Sequence, residues 1–132
     1  MKIILDSNIY ISAIGFKSRV LQDFILMCLE NFDIVICDEL VGEVSQNLSN
    51  KCQIEVLDSE IWKQLAQSCV TYKLNEHEIY SRDTKDGYLL SLIKVSGSAY
   101  LITGDKDLLD LAVFQGAKIM KARAFVEMIG AI

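Results

Sequence analysis

Apolar positions along the chain follow two alternating rhythms. Short, mainly apolar runs, KIIL (2–5), DIVIC (33–37), AYLIT (99–103) and AKIM (117–120), have the length and composition of strands, and VTYKL (70–74) offers a further one. Between them lie longer stretches with helical spacing. SRVLQDFILMCLE (18–30) carries apolar residues at 20, 21, 24, 25, 28 and 29, one stripe of a helix. DELVGEVSQNL (38–48) predicts a second helix with Asp38 as its N-cap. Residues 51–69 predict at least one more, with EIWKQLAQSC capped by Asp58 or Ser59. KDGYLLSLIKVSG (85–97) predicts a helix ended by Gly97, and RAFVEMI (123–129) a closing one. Apolar residues also return with helical spacing at Leu108, Leu109 and Leu111. Strand–helix alternation of this kind belongs to the α/β class, a parallel sheet covered on both faces. No repeat, low-complexity tract or linker breaks the chain, and it has no proline. Its 132 residues are the length of one domain, predicted over 1–132.

Composition sharpens this picture. With 52% hydrophobic residues the chain can bury a sizeable core, which excludes a disordered protein. No stretch approaches the ~20 apolar residues of a membrane span. The longest, VLQDFILMCL, is interrupted by Gln22 and Asp23. The opening MKIILDSN meets an aspartate after three apolar residues, so no signal peptide is expected and the protein is placed in the cytoplasm. Cys28, Cys37, Cys52 and Cys69 have no C-x-x-C spacing. Three of them sit among apolar neighbours, where a reduced thiol acts as a small hydrophobe. His77 is the single histidine, in the polar stretch LNEHEI, and reads as a solvated side chain.

Parallel sheets bind ligands at the carboxyl ends of their strands. In this chain those ends are acidic. Asp6 follows the first strand, with Ser7 and Asn8 behind it. Asp105 and Asp107 follow the strand at 99–103, and Asp83 and Asp86 open the helix before it. Each acid alone has a structural explanation, because aspartate is a favoured N-cap worth about 1 kcal/mol and Asp6, Asp38, Asp86 and Asp105 all lie at helix starts. Their convergence is harder to explain this way. Gathered carboxylates repel one another. A fold collects them without matching bases mainly where a cation will sit. Oxygen-only donors suit Mg²⁺, Mn²⁺ or Ca²⁺ rather than zinc. Glu43 lies roughly 110° from the centre of the stripe Leu40, Val41, Val44 and Leu48, at ~100° per residue. On that shoulder it could be exposed or lean over the sheet edge.

The ordered set ILDSNIYIS, CDELVGEV, RDTKDGYLLSL and LITGDKDLLDL resembles a PIN-domain ribonuclease, and most of all the toxin-type (VapC-like) branch from bacterial toxin–antitoxin systems. The resemblance spans nearly the whole chain. It implies a three-layer α/β/α sandwich with a central, mostly parallel sheet of about five strands. It also implies an active endoribonuclease that uses one or two Mg²⁺ or Mn²⁺ ions and leaves a 5′-phosphate and a 3′-hydroxyl. Matched by position, the four main acids are Asp6, Glu43, Asp86 and Asp105. Asp107 and Asp83 fit supporting roles, and Asn8, Ser7 and Thr103 match polar positions that hydrogen-bond the acids. Ser7 stands where threonine is common, Gly87 where an acid or amide is frequent, and Ala99 where aspartate often precedes the tyrosine. None of these departures removes a main acid.

That set suits phosphodiester hydrolysis, which needs an activated water and relief of charge on the leaving oxygen. Asp6 and Asp105 are then the principal metal ligands. Asp86 and Glu43 hold a second ion or orient the attacking water, and Asn8, Thr103 and Ser7 fix carboxylate rotamers. The net charge of −5 argues against a nucleic-acid binder. Two divalent ions would bring the loaded chain to about −1, and local bases can hold RNA despite a negative total. Arg82, Lys85 and Lys106 are the bases expected on substrate, with Lys17, Arg19, Lys121 and Arg123 on the rim. The resemblance further implies an antitoxin partner and a homodimer. Two alternatives are a PIN fold kept as an interaction module without turnover and a housekeeping RNA-processing nuclease. A receiver-like signalling domain fits poorly, because Asp6 is followed by Ser7 and Asn8 rather than by a second acid.

Overall fold

A computed structural model describes residues 1–74 and 84–130; the side chains of residues 84–86 lie outside that description. The chain runs β1 (Lys2–Leu5), α1 (Ser7–Tyr10), a π-helical turn (Ile11–Gly15), α2 (Arg19–Asn31), β2 (Asp33–Ile36) and α3 (Asp38–Cys52). A 3₁₀ turn (Val56–Asp58), α4 (Glu60–Ser68), β3 (Val70–Thr71), α5 (Thr84–Ser96) and β4 (Tyr100–Ile102) follow. The last elements are α6 (Lys106–Leu109), β5 (Val113–Phe114), β6 (Ala117–Met120) and α7 (Ala122–Ile129).

The sheet order is β3-β2-β1-β4-β6-β5. All pairings are parallel except β5 with β6. With helices packed on this sheet, the architecture is the three-layer α/β/α sandwich expected. The sheet has six strands among the described residues rather than about five. The extra one, β5, has only two residues and lies at an edge, too short to show a period. Ile3, Ile4 and Leu5 in β1 are fully buried, as are Leu101 and Ile102 in β4. Strands covered on both faces must be apolar throughout, which is why they appear as unbroken runs.

The helix starts correct one expectation and decide between two alternatives in another. Cys37, not Asp38, is the N-cap of α3, with Asp38 inside the first turn. Ser59 rather than Asp58 caps α4, its hydroxyl accepting from the Trp62 amide at 3.2 Å. α3 also runs on to Cys52, four residues past its predicted end. Gly97 has φ +65°, and its amide donates to Ile93 O, closing α5 where the sequence placed its end. The third strand is shorter than predicted at 70–71, although the Tyr72 amide still donates to Ile36 O at 3.0 Å. Cys28 and Cys37 are buried, Cys52 and Cys69 half-buried, and all four are free thiols. Burial pushes the thiols of Cys28 and Cys37 up to about 12. Among the described residues no helix is long and apolar enough to cross a membrane.

Candidate active site

The chain leaves β1 toward β2 and β3 on one side, then returns to lay β4 on the other side of β1. Where strand order reverses, the helices diverge and leave a crevice at the carboxyl ends. β1 and β4 are that pair. Leu5 is level with Ile102 in the register. The ladder reaches one residue further, with the Asp6 amide donating to Ile102 O at 2.9 Å. Thr103 is held from β4's other side, its amide donating to Met120 O at 3.0 Å. Asp6 and Thr103 therefore stand on rigid backbone at the mouth of the crevice.

Asp6 is the N-cap residue of α1 by position, yet its carboxylate makes no capping bond. The cap explanation fails for this residue. Its side chain is 4% exposed and turns to Thr103, whose Oγ1 donates to Oδ2 at 2.6 Å. Burial raises the Asp6 carboxyl above the usual aspartate value; the Thr103 hydrogen bond opposes this and nearby Glu43 adds to it. Ser7 Oγ lies 3.2 Å from Asp6 Oδ1 and 2.9 Å from Glu43 Oε1. A hydroxyl has one proton. Two carboxylates thus share a single donor.

Glu43 is half-buried and leans over the sheet edge, one of the two placements its position on the helix shoulder left open. Its other oxygen accepts from Tyr88 OH at 2.5 Å. Burial first, then the Glu43 carboxylate, push the Tyr88 phenol far above its ordinary value. Sequence reasoning passed over Tyr88. The available signal was a tyrosine within the apolar run of α5, because a buried phenol needs a partner for its hydroxyl.

Asp105 is linked to Asp6 through one side chain. Its amide donates to the same Thr103 Oγ1 at 3.0 Å. Here the cap explanation holds, since Asp105 Oδ1 accepts from the Asp107 amide at 2.9 Å. Only Oδ1 is so engaged, and Asp105 is half-buried. Asp107, Lys106 and Asn8 are exposed. Asn8 makes no bond to the acids among the described residues; it lines a neighbouring groove instead. Arg19 and Arg123 pair with Asp23 and Glu127 one turn along their own helices, both at 3.6 Å, which weakens their claim as a basic rim. Arg82 and Asp83, like His77, lie outside the described residues. Asp86 and Lys85 are placed by backbone only, in the first turn of α5.

Among the described residues no three His, Cys, Asp or Glu side chains already form a metal cluster. The donors present nevertheless fit a hard divalent cation. They are oxygen-only, as Mg²⁺ and Mn²⁺ prefer. Asp6 and Glu43 share the Ser7 hydroxyl, and no lysine or arginine pairs with either among the described residues. An apolar groove of about 1010 Å³ between α2 and α7 adjoins these residues. It is lined by Leu21, Phe24, Met27 and Val126, with Asn8 and Thr103 also on its wall.

A family model described as PIN domain matches residues 2–107. No curated protein matches the sequence. Among solved structures, the chain is similar to the crystal structure of VapBC2 from Rickettsia felis bound to a DNA fragment from its promoter. The TM-score is 0.60 at 13% identity, covering 90% of this chain and 97% of that one. At that identity the likeness is one of fold.

Proposed function

The chain belongs to the PIN-domain family, and on that premise we propose that it is a divalent-metal-dependent endoribonuclease, the toxin of a toxin–antitoxin pair. PIN domains are generally nucleases. The observation that carries the reading is the pairing of Asp6 and Asp105 through Thr103 at the switch point of the sheet. Capping accounts for Asp105 but not for Asp6, a carboxylate whose pKa burial raises and which accepts from the Thr103 hydroxyl instead.

Asp6 and Asp105 are the residues that would hold Mg²⁺ or Mn²⁺, with Asp86 and Glu43 holding a second ion or orienting the attacking water. Such an ion supplies a nucleophile of lowered pKa and neutralises charge on the phosphate. Thr103 fixes one Asp6 oxygen and the Asp105 backbone together, so a single hydroxyl sets their spacing. Ser7 steadies Glu43 or Asp6. Lys106, beside Asp105, is an exposed base for RNA phosphates, and Arg82 and Lys85 are assigned the same task. Asn8 and Asp107 stand further out, as supports at the rim.

The similar solved structure is a complex of two components, VapBC2. The apolar groove between α2 and α7, where Val20 is 78% exposed, is the face we assign to an antitoxin. A buried apolar contact of this kind is what a permanent partner needs. A homodimer and a cytoplasmic location belong to the same reading.

Calorimetric titration of Mn²⁺ into the partner-free protein, beside Asp6→Asn and Asp105→Asn, tests the proposal without knowledge of the RNA. Saturable binding by the wild type, lost in both variants, is expected. Folded wild type that binds no Mn²⁺ would overturn the nuclease reading and leave a PIN fold retained as an interaction module.

A further inference from the structure

We infer that Tyr88 is a positioning residue for the site, gripping the Glu43 carboxylate from α5 so that it stays fixed beside Asp6. The inference rests on the nuclease reading above. Three observations carry it. Tyr88 is 5% exposed, and its hydroxyl is 2.5 Å from Glu43 Oε2, the length of a charge-assisted O–H···O⁻ bond. The other oxygen, Oε1, accepts from Ser7 at 2.9 Å. Glu43 is therefore held at both ends, by hydroxyls from two elements outside its own helix.

The grip matters because Glu43 has little else to fix it. A glutamate has three rotatable side-chain bonds, and Glu43 sits on a half-buried helix shoulder. No lysine or arginine pairs with it among the described residues, and its carboxylate oxygens accept from two hydroxyls. Tyr88 reaches Glu43 from the first half of α5, an element far from α3 in sequence. Ser7 follows Asp6 directly. The Ser7 hydroxyl thus ties Glu43 to Asp6, and the Tyr88 hydroxyl anchors it to α5. Partners that orient metal ligands in this way are commonly worth about 10–100-fold in metal affinity.

The test is a double-mutant cycle of Tyr88→Phe with Glu43→Gln, read as Mn²⁺ affinity by calorimetry, with thermal unfolding measured alongside. Phenylalanine keeps the ring and its packing and removes only the hydroxyl. Tyr88→Phe is expected to fold as the wild type does and to weaken Mn²⁺ binding by about 10-fold or more. In the Glu43→Gln background the same substitution should change the affinity by less than about 2-fold. Wild-type affinity in Tyr88→Phe would overturn the inference and leave the nuclease reading intact. So would an equal loss in both backgrounds, which would assign the effect to packing. Wild type without Mn²⁺ affinity would overturn both together.

Discussion

At the residue scale, the site separates two uses of one amino acid. Asp105 caps α6 and is proposed to bind metal; Asp6 caps nothing and is buried. Asparagine caps as well as aspartate does, whereas alanine costs about 1 kcal/mol. Asp105→Asn should therefore keep its urea midpoint while losing Mn²⁺ affinity, and Asp105→Ala should lose both. Equal stability of the two variants would show that the cap contributes nothing. The buried thiols give a second prediction. Cys28 and Cys37 rise from 9.0 to about 12 on folding, so the folded chain keeps protons that the unfolded chain releases. Their contribution is fully present below pH 9 and is lost as pH rises from 9 toward 12. Each thiol should shift the folding equilibrium by up to about tenfold per pH unit across that window. Chemical denaturation at pH 8, 9 and 10 measures it, and Cys28→Ala with Cys37→Ala should flatten the decline.

At the element scale, the segment after β1 has to deliver Ser7 and Asn8 and then dive under α3. It does so with one turn of α-helix followed by a π-helical turn ending at Gly15. A Cβ on Gly15 would lie 2.6 Å from Cys52 Sγ and 2.9 Å from Leu48 Cδ2. The glycine is needed because α3 runs against the backbone there. Gly15→Ala should destabilise by about 1–3 kcal/mol, the usual cost of overpacking a close contact. Adding Cys52→Ala should recover part of the loss, since it removes the nearer of the two atoms. An unchanged urea midpoint in Gly15→Ala would mean that the two elements separate at no cost.

At the scale of the whole molecule, the acids belong to four segments spread over residues 6 to 105, and strand order determines which of them meet. A cation shared by Asp6 and Asp105 would bridge two adjacent strands that are distant in sequence. Binding of this kind favours the folded state by mass action, about 2.7 kcal/mol at a hundredfold excess over the dissociation constant. Mn²⁺ should therefore raise the thermal midpoint of the wild type, and a chelator should restore it. Asp6→Asn should melt at one temperature with or without the ion. The groove between α2 and α7 belongs to the same scale: Val126 on its wall is 41% exposed, on a helix that buries only Phe125 completely.

The sequence by itself determined the fold class. Buried parallel strands are apolar runs, helices are apolar stripes, and both patterns are local; β1, α2, β2, α5, β4, β6 and α7 appear close to where their residues predicted them. It also pointed to Asp6 and Asp105, because strand ends can be found along the chain. Short elements were not legible: α1, the π-helical turn and β5 have too few residues for a period to emerge. Nor were contacts that cross between elements. Asp38 looked like a cap, but the chain enters α3 one residue earlier. Glu43 was ambiguous on its own helix, and what settled its position was a hydroxyl 36 residues away at Ser7 and another 45 residues away at Tyr88. Strand order, the shared Thr103 hydroxyl and the grip on Glu43 were decided only in the tertiary structure. They depend on which elements pack side by side, and that is fixed by the burial of whole faces rather than by any local stretch of residues.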